Sequence, residues 1–354
     1  MRIVVSCPNW IGDAVMATPT LIALRGLFPG AHVALVARPY VAGVFEPAPY
    51  ADAILPWGEP GGETTSALAR RLRRDRFDAG LLLTNSFRSA WLLWRGRVRR
   101  RIGYARDRRA WLLTDRLRPP RTGGPGGRYV PTPMLSYYAG LLKPLGAGEA
   151  PTAMKLYTSP ADEASADRLY GALGLEPAST LVMAPGAAFG MAKCWPADRF
   201  ARVAKQARSR LGLRTLVLCA PSELPVARAI VGASDGATAV PPEPLPGLTT
   251  AKALVRRARA MVTNDSGLRH FAAAYDVPVV SIFGPTDVRW TETWFAKETK
   301  LQAAVPCGPC QQRVCPEGHL RCMTEIAPEA VFDALAAAVA EFPYQEPRPD
   351  NIIR

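Results

Sequence analysis

The stretch Thr180-Leu181-Val182-Met183-Ala184-Pro185-Gly186-Ala187 begins as a short apolar strand and breaks at once into a turn carrying proline and glycine. The turn runs on through Ala188-Phe189-Gly190-Met191-Ala192-Lys193-Cys194-Trp195-Pro196 into a helical pattern from Ala197 to Leu211. Strand, glycine-bearing turn and helix make up the repeating unit of a parallel α/β sheet. Beyond it the alternation continues, with strands expected at Thr215 to Cys219, Ala260 to Thr263 and Val277 to Phe283. Helices are expected at Glu223 to Val231 and Ser266 to Tyr275, and an Ala-rich helix at Pro328 to Phe342 closes the series.

The same alternation has already run once before this stretch. Arg2 to Ser6 reads as a buried strand, and a helical pattern follows from Asp13 to Phe28, where Pro19 is expected to kink or split it. His32 to Ala37 is the next apolar run. Strands are expected at Ala53 to Leu55, Ala79 to Leu83 and Arg101 to Gly103, with helices at Thr64 to Arg74, Ser86 to Trp94 and Pro133 to Leu145. Two successive runs predict two doubly wound, Rossmann-like α/β domains facing across a cleft. The expected division is an N-terminal domain over 1–150, a linker over 151–178 holding one polar helix from Pro160 to Leu173, a C-terminal domain over 179–342 and a tail over 343–354.

At 354 residues the chain has the length of about two domains at roughly 100–200 residues each. A hydrophobic fraction of 48% and a charged fraction of 21% are ordinary for globular proteins and exclude pervasive disorder. No run approaches the roughly 18 apolar residues of a spanning helix, and neither a membrane span nor a secretory signal is read, so seven cysteines suggest reduced thiols rather than a disulfide framework. Lys and Arg number 44 against 30 Asp and Glu, a net charge of +14 that favours anionic ligands or surfaces.

In open α/β sheets ligands bind beyond the carboxyl ends of the strands, so three strand-to-helix turns are the candidate sites. Cys7-Pro8-Asn9-Trp10-Ile11-Gly12-Asp13 delivers a carboxylate at the start of a helix. Asp13 is open to two readings there, an N-cap or a general base. The turn from Pro185 to Pro196 offers small residues, backbone N–H groups and the charge of Lys193, which suits a diphosphate, although it spells neither a Walker P-loop nor Gly-x-Gly-x-x-Gly. In Thr263-Asn264-Asp265-Ser266-Gly267-Leu268-Arg269-His270, Asp265 or Ser266 can cap the next helix, and His270 is either a packed residue or one that faces a ligand.

Two further segments stand out. From Arg95 to Arg109 eight arginines face the single acid Asp107, with Trp91, Trp94, Tyr104 and Trp111 around them. A solvated basic face, a nucleic-acid site and a surface for an anionic lipid or acceptor all fit that composition. Cys307, Cys310, Cys315 and Cys322, with His319 among them, have the residue types of a zinc site at irregular spacing. A structural loop of reduced thiols is the favoured reading of these four, ahead of a structural metal or disulfides.

Taken in order, several segments carry a resemblance. They are Asn9 to Asp13 with Ala17-Thr18-Pro19, Arg101-Ile102-Gly103-Tyr104, Pro185-Gly186-Ala187 running on to Ala192-Lys193 and Trp195-Pro196, Thr263 to Gly267 with His270, Phe283-Gly284-Pro285-Thr286 and the cysteine segment. The chain resembles the ADP-heptose lipopolysaccharide heptosyltransferases of glycosyltransferase family nine, its type II branch above all. The resemblance implies a GT-B fold, with a lipid acceptor on the N-terminal domain and ADP-heptose on the C-terminal one. It implies Asp13 as catalytic base, and Asn9, Arg101 and Arg106 on the acceptor side. It implies Gly186, Ala187, Ala188, Lys193, Asp265, Ser266, Gly267 and His270 around the donor, with Glu223 toward the adenosine ribose. Ala188 departs from an acidic residue common in type II members, and Cys194 from an arginine.

The implied reaction is an inverting transfer of heptose onto the first heptose of the lipopolysaccharide inner core. With no dense Asp/Glu/His cluster and no Asp-x-Asp motif, catalysis without metal or other cofactor is expected. The expected setting is cytoplasmic, peripheral to the inner membrane, as a monomer without nucleic acid. The rival readings are a type I or III acceptor, a nucleotide-sugar 2-epimerase and a basic nucleic-acid-binding protein.

Overall fold

The computed structural model describes residues 1–58, 60–122, 127–148 and 151–353. The expected domain limit at 150 and the end of the tail at 354 lie outside the described residues. The chain divides into two compact units, Met1–Lys155 with Arg289–Thr293, and Leu156–Val288 with Trp294–Arg354.

In the first unit the described strands are β1 (Arg2–Ser6), β2 (His32–Ala37), β3 (Ala53–Pro56), β4 (Ala79–Leu82), β5 (Arg100–Tyr104) and β6 (Asp115–Leu117). They form a six-stranded sheet in the order β3-β2-β1-β4-β5-β6, parallel throughout. The central strand β1 pairs Val4 with Ala34 on one side and Gly80 on the other. Because both faces of a parallel sheet are covered, such strands are apolar runs rather than alternations, and Ile3, Val4 and Val5 are wholly buried. The expected helix from Asp13 to Phe28 is two helices, Ile11–Met16 and Thr18–Leu27. Pro19 lies in the first turn of the second, where its missing N–H has no intrahelical partner to lose.

The second unit repeats this topology. Its strands are β7 (Thr180–Ala184), β8 (Arg214–Val217), β9 (Thr238–Ala239), β10 (Ala260–Asn264), β11 (Val279–Phe283) and β12 (Glu298–Gln302), in the order β12-β11-β10-β7-β8-β9. Counted from its own first strand, this is the 3-2-1-4-5-6 order again, the doubly wound arrangement of dinucleotide-binding folds. Each sheet reverses its winding at one point, between β1 and β4 in the first and between β7 and β10 in the second. The helix Pro160–Ala172, expected within a linker, belongs to the second unit, packs on Leu248–Arg256 and is opened by a Ser159/Asp162 capping box.

Trp195 anchors the turn after β7. Its ring is buried, meets Phe200 edge-on at 5.0 Å and donates from Nε1 to the Ile326 carbonyl at 3.1 Å. The pair sits in a core built from Met183, Val262, Val280, Met323 and Leu335. Among the described residues no helix is long and apolar enough to cross a membrane.

Candidate functional site

Asp13 sits where the chain leaves the central strand of the first sheet. The following helix has Trp10 as its N-cap, in extended conformation, and no side chain caps it. Asp13 is the third residue of that helix, so the N-cap reading is corrected: the backbone turns helical at Ile11, before the carboxylate could close it. Half-buried in the first turn, Asp13 is favoured by the helix dipole. It accepts a hydrogen bond from the phenol of Tyr138, on the helix Met134–Ala139. Tyr138 is buried, and burial first, then the charge of Asp13, hold its phenol well above the ordinary value. It therefore remains a donor across the physiological range. Beside it lies the buried thiol of Cys7, which desolvation pushes up.

The other residues expected on the acceptor side, Asn9, Arg101 and Arg106, lie in the same unit. Asn9 accepts the Tyr40 hydroxyl on its carbonyl at 2.7 Å. Arg106 packs over the Tyr129 ring at 3.9 Å and hydrogen-bonds Tyr137. The guanidinium of Arg101 is taken up by the carbonyls of Leu112 and Val98, each at 2.6 Å, beside the sheet. Arg109, counted in the sequence as part of a basic surface, is fully buried. It donates to the carbonyls of Thr84, Ser86 and Tyr104 and to Asn85 Oδ1, which also accepts the Tyr137 hydroxyl at 3.1 Å. Burial lowers its pKa to about 10, so it is still a cation at neutral pH.

In the second unit the reversal of winding between β7 and β10 brings two expected residues into one ion pair. Lys193, from the turn after β7, donates to the carboxylate of Asp265, from the turn after β10, and to its carbonyl at 3.3 Å. Asp265 Oδ2 also accepts Thr286 Oγ1 at 2.8 Å, and Oδ1 accepts Arg269 at 3.1 Å. Burial alone would raise the pKa of this carboxyl, but Lys193, Arg269 and the two hydrogen bonds together hold it below its ordinary value. Arg269 in turn reaches buried Glu298 at 3.0 Å, and Glu298 accepts Ser281 at 2.6 Å.

Lys193 does not stand alone: an ammonium has three donors, and the Asp265 contacts occupy two of them. Nor does Asp265 or Ser266 cap the helix Arg269–Ala274, whose N-cap is Leu268 with no side-chain bond. The Asp265 carboxylate is committed to the cations, and Ser266 Oγ lies 3.1 Å from Thr263 Oγ1. Gly267 accepts the His270 N–H on its carbonyl at 3.3 Å. His270 is 2% exposed with Nδ1 unpartnered, and burial first, then Arg269, holds its imidazole well below the ordinary value and neutral.

The turn after β7 is shaped by close approach. A Cβ on Gly186 would lie 1.9 Å from the Glu223 carboxyl carbon, so the Glu223 carboxylate rests directly on that glycine. It also accepts the Ala220 N–H at 2.9 Å. Thus Glu223, beyond β8, reaches the end of the neighbouring strand β7, the position from which an acidic residue meets a ribose in dinucleotide folds. Burial and Glu223 raise the Cys219 thiol to about 11 and also raise that of Cys194, which takes a hydrogen bond from the Ala187 backbone. Ala188 is exposed.

The cysteine segment braces this turn. Ala192 N donates to the Arg313 carbonyl at 3.3 Å, and Gln311 N to the Pro285 carbonyl at 2.8 Å. Cys307, Cys310, Cys315 and Cys322 are free thiols. Cys307 Sγ lies 3.9 Å from His319 Nε2, and among the described residues no three side chains are placed to hold a metal ion. Backbone N–H groups, that of Leu320 first, hold the Cys315 thiol below its ordinary value.

Thr286, Arg269 and Glu298 were not expected in the site. The signal for Thr286 was present in Phe283-Gly284-Pro285-Thr286, a fourth turn at a strand end; for Glu298 there was none.

Two doubly wound sheets, with the Lys193–Asp265 pair at the reversal of the second and a carboxylate at that of the first, make up the architecture of GT-B glycosyltransferases. The sequence model of "Glycosyltransferase family 9 (heptosyltransferase)" matches residues 65–321, well over half the chain, and the protein belongs to that family. Lipopolysaccharide heptosyltransferase 2 of Salmonella typhimurium is 26% identical over 351 residues, covering 96% of this chain and 99% of the relative. The Escherichia coli K12 protein of the same name is 26% identical, covering 96% and 99%. Among solved structures, a family 9 glycosyl transferase from Veillonella parvula superposes with a TM-score of 0.83 at 23% identity, covering 96% of this chain and 98% of that one. E. coli ADP-heptose LPS heptosyltransferase II gives 0.77 at 24% identity, covering 96% and 99%. These two likenesses establish the fold.

Proposed function

We propose that this glycosyltransferase moves L-glycero-D-manno-heptose from ADP-heptose to the first heptose of the lipopolysaccharide inner core in a single inverting displacement. The observation that carries the reading is Asp13: a half-buried carboxylate at the carboxyl end of a central strand, spared from capping and held by a neutral phenol. A carboxylate so held can accept the proton of an attacking sugar hydroxyl. Departure of ADP leaves charge on its terminal phosphate, which the remaining N–H of Lys193 can meet, with the Asp265 pair fixing the ammonium. In this reading Glu223 accepts from the ribose, and the neutral His270 stands beside Asp265 and Lys193. The relatives named lipopolysaccharide heptosyltransferase 2 support a heptose as the group moved and lipopolysaccharide as its destination.

The test is ADP release from purified protein given ADP-heptose, with and without heptosyl-Kdo2-lipid A. Release that needs the acceptor, and that Asp13→Asn abolishes while donor binding persists, is the expected result. Conversion of the donor without acceptor is an epimerase's behaviour, and either that outcome or full turnover by Asp13→Asn defeats the proposal.

A further inference from the structure

The aromatic residues of the basic segment separate into two sets. Tyr104 is buried against Tyr137, and Trp91 packs on the core of the first unit. Trp94 and Trp111 instead stand out at 43% and 59% exposure, joined by Phe87 at 42%. Phe87 and Trp94 lie seven residues apart on the helix Phe87–Arg95 and so share one face, about 10 Å apart along its axis. Trp111 packs against both, with ring centroids 6.1 Å from Phe87 and 6.2 Å from Trp94. The far side of the helix, with Ser89, Leu92 and Leu93, is buried in the unit, so the stripe is not a frayed part of the core.

Next to the stripe in sequence are Arg95, Arg97 and Arg108, all exposed, and among the described residues their side chains have no ion-pair partner. Indole rings beside unneutralised guanidinium groups are the chemistry of a bilayer interface: the rings enter the headgroup boundary and the cations meet lipid phosphate. A stacking site for bases needs open ring faces, whereas these three rings are set against one another at 50° and 66°.

We infer that Phe87, Trp94 and Trp111 form a wedge that seats the first unit on an anionic bilayer surface, with Arg95, Arg97 and Arg108 as its electrostatic rim. The inference rests on the reading of the acceptor as lipid-linked, since only such an acceptor requires the enzyme to work at a membrane. The wedge holds the protein where its acceptor is; it takes no part in the transfer itself.

The experiment is flotation of the full-length protein with vesicles of phosphatidylglycerol and phosphatidylethanolamine, and with phosphatidylcholine alone. Wild type should float with the anionic vesicles, and brominated lipid should quench its tryptophan fluorescence. Trp94→Ser/Trp111→Ser should bind those vesicles at least tenfold more weakly and lose most of the quenching, while keeping wild-type kcat with a deacylated, water-soluble acceptor. Arg95→Gln/Arg108→Gln should lose binding chiefly at low salt. Equal flotation of the double-tryptophan variant, or no flotation of wild type, overturns the wedge. So does a result in which fluorescent oligonucleotide, rather than vesicle, binding follows these substitutions. Vesicle binding without any acceptor-dependent ADP release would instead leave the wedge standing and remove the proposed reaction.

Discussion

Replacing Gly186 by alanine separates the proposed donor contact of Glu223 from the fold. The new Cβ would sit 1.9 Å from the Glu223 carboxyl carbon and 2.1 Å from both oxygens, against 3.4 Å for ordinary van der Waals contact. The carboxylate must therefore withdraw by about 1.5 Å, losing its bond to Ala220 N. Because what moves is the end of a flexible side chain, the cost to the fold is about 1 kcal/mol, one hydrogen bond. The cost to donor binding is larger if that carboxylate accepts from the ribose: about 1.5–3 kcal/mol for a hydrogen bond to a charged group, or roughly 10–150-fold in donor KM. The assay is ADP release at saturating acceptor with ADP-heptose varied, for Gly186→Ala, Glu223→Ala and the double variant, beside a denaturation curve for each. The double variant should resemble Glu223→Ala alone, since the methyl then has nothing to displace. The reasoning is refuted by a folded Gly186→Ala whose donor KM stays within twofold of wild type. It is equally refuted by an undiminished effect of the methyl in the Glu223→Ala background, which would place its action on backbone approach to the phosphates.

Three other outcomes are expected. His270 stays neutral in the native protein but takes up a proton when unfolded below about pH 6.5, so the unfolded state binds more protons there. Wild type should lose about 1.4 kcal/mol of stability per pH unit below that point from this group, a slope that urea denaturation of His270→Gln at pH 7.5, 6.5 and 5.5 should lack. Tyr138→Phe removes the donor to Asp13 without changing shape, so the acid limb of the kcat/KM profile should move about one unit higher while donor KM is kept; an unmoved limb counts against Tyr138 as a positioning residue. Glu298→Gln breaks a pair in which both side chains are 1% exposed, and chemical denaturation should show a loss of about 3 kcal/mol, with a loss under 1 kcal/mol contradicting the buried-pair account.

The strands that can be read from the letters are those at or near the centre of each sheet, together with the apolar edge strand Ala53–Pro56. Val4, Leu35, Leu81, Val182, Val262 and Val280 lie in apolar runs because helices cover both sides of them. Asp115–Leu117, Thr238–Ala239 and Glu298–Gln302 were not read, and all three are edge strands. These three are short or polar, which protects an edge from pairing with another chain, and the same features remove the signal. The helix Leu248–Arg256 was missed for a related reason: its buried face includes Lys252 and Arg256, letters that read as solvent-facing.

The candidate site divides along the same line. Local order alone supplied the turns, because the glycines and prolines, the carboxylate of Asp13 and the cations all follow strands within a few residues of chain. It could not supply partners. Lys193 and Asp265 are 72 residues apart and meet because β7 and β10 are neighbours at the reversal of winding. Tyr138 reaches Asp13 from a helix that follows all six strands of its sheet, and Glu298 holds Arg269 from an edge strand with no apolar signature. Arg109 and Arg101, equal to their neighbours as letters in a basic run, were taken out of the surface by carbonyls that only the folded sheet brings to them. The repeat of strand and helix, and with it the fold, was thus determined by periodicity along the chain. Which charges are paired, buried or left facing solvent was decided by tertiary structure, because ion pairing and desolvation depend on distances between segments that the chain itself does not set.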